Sequence, residues 1–448
     1  MKHITHLSVL CLLLISCQNS TDNSPSLIAP FGEQPSISTN VSGEIQVVFG
    51  NKESIYYSSS EDQGKSFSQP SLVAKLEGLV LGHSSGPSIV STATSTVITA
   101  PDTLGNLYAW TRSNDMQTWS GPFQINDVEK SAGESLSDIT ATPDGNLYSV
   151  WIDTRLLEEN NHKEHSASTS ETHTALPAPK IEEDLDEMTP IGITKGELYK
   201  QIGNVPQNAR LSFHADDEGN LYWVLFDQNK TVLKAENFEE YKKFRERNGG
   251  KVKQKGKIYL SSSADEGKTW SKSRQIYRSP DGSVCECCKP SIISDNDGTI
   301  TIMFRNNVNG SRDLYFTSSV DGGETFSMSE KLGIGTWKIN GCPMDGGDLI
   351  ADSRGALNTI WQRKGNIFMC NPSASEVKIG SGRSPSFSAN DQKTYVAFSR
   401  GGDIMSTSAD NSFPIKVGTG SSPKVIALKN GAIYFWVDSD GINFKKVL

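Results

Sequence analysis

The chain has 448 residues, which is enough for one large repeat domain or for two to three ordinary domains. Its 43 basic and 52 acidic residues give a formal net charge of −9, and no basic stripe stands out. We therefore expect no nucleic-acid partner. An apolar fraction of 35% with 39 glycines favours many short strands joined by turns over helices with broad apolar faces.

The first 17 residues have the features of an export signal. A short basic start is followed by an apolar run, 7–15, that is too short to span a bilayer. The run ends in LISC at 14–17, which resembles the lipobox of bacterial lipoproteins. That resemblance implies cleavage before Cys17 and attachment of lipid to it; the alternative is a plain secretory signal. We expect a lipid-anchored protein of the bacterial cell envelope, outside the cytoplasm, with residues 18–30 as a tether.

One eight-residue phrase recurs along the chain: SEDQGKSF at 60–67, SADEGKTW at 263–270 and SVDGGETF at 319–326. Asp and Gly at these positions favour a tight turn, and the final aromatic can tuck under a sheet. The phrase resembles the Asp box, or BNR repeat, of the sialidase-like superfamily. The resemblance implies a β-propeller in which each Asp box joins the third and fourth strands of a blade.

A second phrase marks the start of seven units. It begins at Pro or Ser and is followed by a turn and an apolar strand; the starts are Pro35, Pro87, Ser137, Pro290, Pro343, Pro385 and Pro423. Where the starts are consecutive they are about 40 to 50 residues apart, the length of a propeller blade. We predict an all-β protein, a single propeller over 31–448 with six or seven four-stranded blades. Sialidases typically have six blades, so a count of seven is a departure.

Two further features concern the ends and the middle of this propeller. The last unit is one strand short, and residues 26–31, SLIAPF, could close the ring. An insertion at 157–255 interrupts the third unit; its part at 157–190 is polar, acidic and rich in Ser, Thr and Pro, and is predicted to be disordered. We expect a monomer.

Strand alternation places several polar residues on one face of the propeller, here called the top face. Loops before first strands and after second strands share that face, opposite the Asp boxes. The candidates for substrate binding there are His83, Arg155, Arg305, Arg363, Arg383 and Arg400. Sialidases clamp a substrate carboxylate with three arginines, and bidentate pairing explains such a clamp. The arginine that the family carries before its first blade is absent from PFGEQP at 30–35, so true sialidase activity is not expected.

The predicted partner is a carbohydrate, bound or hydrolysed at the top face. Arg383 is the best single candidate for contacting it. Asp153 could be an acid/base residue, although a salt bridge to Arg155 would occupy the same carboxylate. Two other functions remain open at this stage: a metal-binding propeller without hydrolase activity, and a surface scaffold that binds another protein.

The cysteines are the basis for the alternative of a metal-binding propeller. Cys285, Cys287 and Cys288 crowd into one loop, and Cys342 and Met344 open the next unit. Thiolate and thioether ligands suit copper, and a thiolate set also suits zinc. A disulfide between Cys342 and one member of the cluster is the competing interpretation, since disulfides form outside the cytoplasm.

Overall fold

The computed structural model describes residues 24–82, 84–158, 195–203, 210–215, 221–226, 232–236, 251–253, 255–339, 341, 343–352, 355–372, 374–408 and 413–448. It forms two compact units. The first comprises Met1–Asp127, Ala132–Ile152 and Gly256–Leu448, and the second comprises Val128–Ser131 and Asp153–Lys255.

Seven antiparallel sheets of four strands make up the propeller. Blade 1 is β2 (Glu33–Thr39), β3 (Ile45–Asn51), β4 (Ser54–Ser60) and β5 (Ser71–Lys75). Blade 2 is β6 (Ser88–Ser91), β7 (Ser95–Pro101), β8 (Leu107–Ser113) and β9 (Ser120–Gln124). Blade 3 is β10 (Ser137–Ala141), β11 (Leu147–Asp153), β17 (Lys257–Ser263) and β18 (Arg274–Tyr277).

Blades 4 to 7 follow without interruption. Blade 4 is β19 (Ser291–Ser294), β20 (Ile300–Arg305), β21 (Leu314–Ser319) and β22 (Glu330–Lys331). Blade 5 is β23 (Asp348–Ala351), β24 (Leu357–Arg363), β25 (Asn366–Cys370) and β26 (Val377–Ser381). Blade 6 is β27 (Arg383–Ala389), β28 (Thr394–Arg400), β29 (Asp403–Ser408) and β30 (Ile415–Thr419). Blade 7 is β31 (Ser421–Ala427), β32 (Ala432–Asp438), β33 (Gly441–Val447) and β1 (Ser26–Ala29). The predicted all-β propeller is confirmed, and its blade number is seven.

The first strand of each blade forms the inner ring of the propeller, where neighbouring first strands contact one another all the way round, from β2 to β31. The ring is closed by β1, which pairs antiparallel with β33 as the outer strand of blade 7. Ile28 and Ala29 are buried there against Ile442 and Phe444. The end of the chain is thus held by a strand from its beginning.

The three repeated phrases form the turns between third and fourth strands. In blade 1, Asp62 accepts hydrogen bonds from the Ser60 hydroxyl at 2.8 Å, the Ser66 hydroxyl at 2.7 Å and the Lys65 N–H at 2.9 Å. The phrase at 319–326 repeats this pattern around Asp321. The carboxylate therefore accepts the hydrogen bonds that its own turn donates, so these repeats have a structural role.

The second unit has secondary structure of its own. It contains β12 (Leu156–Glu158), α1 (Lys195–Ile202), β13 (Arg210–Ala215), β14 (Leu221–Phe226), β15 (Val232–Ala235) and β16 (Lys251–Lys253). Strands β13, β14 and β15 form one antiparallel sheet, and β12 pairs with β16. Leu198 and Ile202 of α1 are buried against Trp223 and Leu225 of β14. Most of 157–190, predicted to be disordered, lies outside the described residues.

The start of blade 5 differs from its sequence prediction. The phrase at Pro343 was assigned to the strand, but β23 begins at Asp348. The intervening residues belong to the loop, where Asp345 and the backbone of Gly346 pack against neighbouring loops. No helix within the described part of the chain is long and apolar enough to cross a membrane.

Candidate functional site

One position of the inner ring has an exact counterpart in all seven blades. Strand register places each of these residues opposite the equivalent residue of the second strand. In blade order they are Ser36, Ser88, Asp138, Ser291, Asp348, Ser386 and Lys424. Four blades thus carry serine here, and three carry a charged side chain.

Lys289, two residues before the inner strand of blade 4, contacts Asp138 and interacts electrostatically with Asp348 and Lys424. Its ammonium group is 3.0 Å from a carboxylate oxygen of Asp138 and 3.4 Å from the Ser88 hydroxyl. The other Asp138 oxygen accepts the Ile292 N–H at 3.2 Å. We call Asp138, Lys289, Asp348 and Lys424 the axial cluster. The Asp138 and Lys289 side chains keep 22% and 23% of their surface exposed, so solvent reaches the cluster.

The two carboxylates of the axial cluster have different surroundings. Burial raises the pKa of Asp348, and the negative charge of Asp138 raises it further, while Lys424 and Lys289 oppose the shift. Burial also lowers the pKa of Lys424. Asp138, in contrast, has an ammonium group in direct contact. Asp348 therefore keeps its proton to higher pH than an ordinary aspartate.

The loops that lead into the inner strands have unusual backbone. Six non-glycine residues at or just before these strands have φ between 51° and 70°; they are Gln34, Ser84, Ser135, Met344, Ser384 and Ser422. This left-handed region costs a non-glycine residue about 1–2 kcal/mol. Such conformations gather at sites where the backbone must present a group in a fixed direction.

Two of the predicted substrate-binding arginines serve the fold. Arg305 is 1% exposed and donates to three carbonyl oxygens, those of Arg312, Asp345 and Gln362. Arg363 forms a bidentate pair with Glu376 and lies 4.1 Å from the centre of the Phe368 ring. The donors of both guanidinium groups are engaged internally, so neither is free to clamp a substrate.

Arg383 and Arg400 have exposed positions. Arg383 donates to the Pro343 carbonyl at 3.1 Å, and the next residue, Ser384, donates its N–H to Asp345 at 2.8 Å. Arg400 lies 3.6 Å from the Met405 sulfur. These two arginines keep the potential to contact a ligand.

The remaining predictions fall in two places. Asp153 is fully buried, and Arg155 donates to it at 2.9 and 2.7 Å, so the salt bridge weighed against an acid/base role is present. Both belong to the second unit. His83, Cys342 and Cys17 lie outside the described residues.

The cysteine loop lies between β18 of blade 3 and β19, the inner strand of blade 4. The Cys285 N–H donates to the Arg305 carbonyl at 2.9 Å, which joins the loop to the end of β20. Cys285 and Cys288 are buried free thiols, whereas Cys287 is half-buried and disulfide-bonded. The sulfur atoms of the three residues are 3.5 to 3.9 Å apart.

The two free thiols of this loop differ in acidity. A hydrogen bond from Cys288 lowers the pKa of Cys285 to about 6, and the positive charges of Arg312 and Arg305 act in the same direction against burial. The pKa of Cys288 is raised by its interaction with Cys285 and by burial. Cys285 is therefore the more acidic thiol of the pair. Met344, the predicted thioether ligand, is half-buried in the next loop.

Sequence reasoning missed the axial cluster. The signal was present in the blade-start phrases, where the residue after Pro or its counterpart is Ser in four blades and charged in three. Asp348 is not apparent from the sequence because the phrase at Pro343 lies four residues before the true counterpart of the other blade starts, Gly347. Lys289 follows directly after Cys288, and its sequence position alone gives no sign of its contact with Asp138.

The chain is a seven-bladed β-propeller. No protein-family model matches its sequence, and no curated protein sequence matches it either.

Several solved structures are similar to this chain at low sequence identity. A protein of unknown function from Dyadobacter fermentans is 13% identical, with 93% of this chain and 94% of that chain covered and a TM-score of 0.40. An α-L-arabinanase of Penicillium chrysogenum is 9% identical, with 94% of each chain covered and a TM-score of 0.43. The intramolecular trans-sialidase of Ruminococcus gnavus is 10% identical, with 94% of each chain covered and a TM-score of 0.38. Likeness at this level assigns no activity to this chain.

Proposed function

We propose that this protein acts on a carbohydrate at the axial cluster, as a glycoside hydrolase. The observation that carries the proposal is the pair of carboxylates, Asp138 and Asp348, held in contrasting surroundings at equivalent positions of the inner ring. Glycoside hydrolysis by most enzymes needs such a pair, one member protonated and one ionised. The resemblance of the repeats to the Asp box agrees with a glycan-directed protein.

In this proposal Asp348 is the general acid. Its raised pKa lets it keep a proton that it can deliver to the leaving oxygen of a glycosidic bond. Asp138 is the carboxylate on the other side, and Lys289 holds it in place through the 3.0 Å ion pair. Exposed Arg383, anchored on the Pro343 carbonyl, is positioned to contact a substrate at the loops above the ring. A carboxylate-bearing sugar would suit that arginine.

The test is hydrolysis of a panel of neutral and acidic polysaccharides, read as the release of reducing ends. We expect wild-type protein to cleave at least one polysaccharide and Asp348→Asn to lose about 100-fold or more of that activity. Ser386→Ala, at the equivalent position of blade 6, is the matched control and should keep it. Equal activity of wild type and Asp348→Asn would refute the assignment.

We also propose that Cys17 anchors the mature protein to a membrane of the cell envelope by an attached lipid. The support is the basic start, the short apolar run and the LISC sequence at 14–17. Fractionation of cells that express wild type or Cys17→Ser tests this. Wild type should sediment with membranes and Cys17→Ser should not; equal membrane association of the two would contradict the proposal.

A further inference from the structure

Three sulfur atoms in the loop before blade 4 form a compact triangle. The separations are 3.5 Å for Cys285–Cys288, 3.6 Å for Cys285–Cys287 and 3.9 Å for Cys287–Cys288. Among the described residues, these three side chains are the group whose ligand atoms lie close enough together to hold a metal ion. The axial cluster does not use them.

The triangle has the size that a thiolate-bound metal requires. A point about 2.1 Å from all three sulfurs lies in their plane, and an ion at a metal–sulfur distance of about 2.3 Å would sit about 0.9 Å out of that plane. No sulfur would have to move by more than a few tenths of an ångström. The geometry points to a soft metal ion, Cu(I), bound by Cys285, Cys287 and Cys288.

The loop is held in shape without an ion. Its backbone is fixed at one end by the bond from the Cys285 N–H to the Arg305 carbonyl, and the Cys288 N–H donates back to the Cys285 carbonyl at 3.3 Å. The Glu286 carboxylate accepts hydrogen bonds from the Gly256 N–H and, at 2.6 Å, from the Ser283 hydroxyl. Ligands held in this way lose little conformational entropy when the metal binds.

The charged groups around the loop favour a thiolate at Cys285. The positive charges of Arg312 and Arg305 act on Cys285 in the direction that favours its thiolate. Soft thiolate ligands suit Cu(I) and also Zn(II), so the experiment compares the two ions directly.

The site depends on the redox state of Cys287. Its sulfur is in a disulfide, and a sulfur bonded in this way cannot act as a thiolate ligand. A dithiol reductant opens the site: the dithiol becomes a disulfide, and Cys287 and its partner each gain one electron and one proton. Three thiols then face one another, and Cu(I) displaces their protons on binding. Copper binding is thus restricted to the reduced protein.

The experiment measures Cu(I) binding to the purified full chain by competition with a chromophoric Cu(I) chelator, before and after reduction by a dithiol that is then removed without air. We expect about one Cu(I) per chain after reduction and at least tenfold less before it. Cys285→Ser and Cys288→Ser should each weaken binding at least tenfold. Cys370→Ser is the matched control, because Cys370 is also a buried free thiol but lies in blade 5.

A second measurement uses the native sequence, so that an unfolded variant cannot decide the result. Reduced wild-type protein is alkylated with and without Cu(I), and peptide masses show which cysteines are protected. Protection of Cys285, Cys287 and Cys288 together is the expected outcome. Failure of the reduced protein to bind Cu(I), tighter binding of Zn(II), equal binding by the oxidised protein, or protection of Cys370 alone would each overturn the inference.

Discussion

Arg305 shows how a residue chosen for chemistry can serve the fold. Its buried guanidinium joins the end of β20 to the carbonyl oxygens of Asp345 and Gln362 in blade 5. Arg305→Met leaves these carbonyls without donors, so we expect the free energy of unfolding to fall by about 3 kcal/mol. Urea denaturation measures this, with Arg400→Met as an exposed control that should change it by less than about 0.5 kcal/mol. Equal losses in the two variants would contradict the structural role.

Lys424 influences the pH range over which Asp348, the proposed general acid, is protonated. Its positive charge lowers the pKa of Asp348, against the larger effect of burial. Lys424→Met removes that charge, so the pKa of Asp348 rises and Asp348 stays protonated to higher pH. The alkaline limb of the pH–activity profile should therefore move to higher pH, while Lys429→Met, on an exposed position of the same blade, leaves it in place. A limb that moves to lower pH, or not at all, would exclude Asp348 as the acid.

Residue types were easier to predict than residue roles. The cysteine loop, Arg305 and Arg383 were all placed near one another from strand alternation, and the bonds from Cys285 to Arg305 and from Arg383 to Pro343 show that these loops do meet. The sequence could not show that Arg363 pairs with Glu376, since that contact depends on how the β25–β26 connection folds back. Roles depend on such contacts, and composition does not reveal them.

At the scale of elements, the Asp-box turns link stability to pH. Hydrogen bonds, first from the side chain of Ser66, hold the pKa of Asp62 well below its usual range, and those from Thr325 lower the pKa of Asp321 to about 2. An unfolded aspartate has a pKa of about 3.9. The stabilisation is therefore complete above that value and is lost as the pH falls towards about 2.

The matching variant replaces all three Asp-box aspartates: Asp62→Asn, Asp265→Asn and Asp321→Asn. It should be less stable than wild type at pH 7, and its thermal midpoint should fall less between pH 4 and pH 2. Differential scanning calorimetry across that range measures both. Parallel pH dependence in the two proteins would show that these turns do not carry the effect.

The closing strand β1 offers a neighbouring pair of side chains for comparison. Ile28 is 6% exposed and packs against the blade 7 core, whereas Leu27 is 47% exposed. Ile28→Ala should lower the free energy of unfolding by about 2–4 kcal/mol, through lost burial and the cavity left behind. Leu27→Ala should lower it by less than about 1 kcal/mol. Chemical denaturation of both variants tests whether ring closure stabilises the propeller.

The strands could be predicted where the sequence repeats, but not where a loop sequence resembles the blade-start phrase. Asp boxes and apolar second strands recur in register, so seven four-stranded units could be counted from the sequence alone. Pro343-Met-Asp has the shape of a blade start, but the strand begins at Asp348 because Asp345 is drawn into the loop by the Ser384 N–H. This hydrogen bond between neighbouring blades therefore helps to set the residue at which β23 begins.

For the whole molecule, the central claim is that the axial cluster meets a carbohydrate. The most direct measurement is a crystal structure of Asp348→Asn soaked with an oligosaccharide that a glycan array shows it to bind. The account predicts a sugar over the inner ring, in contact with residues 138 and 348 and within reach of Arg383. An array on which the protein binds no glycan, or a sugar bound away from this cluster, would contradict it.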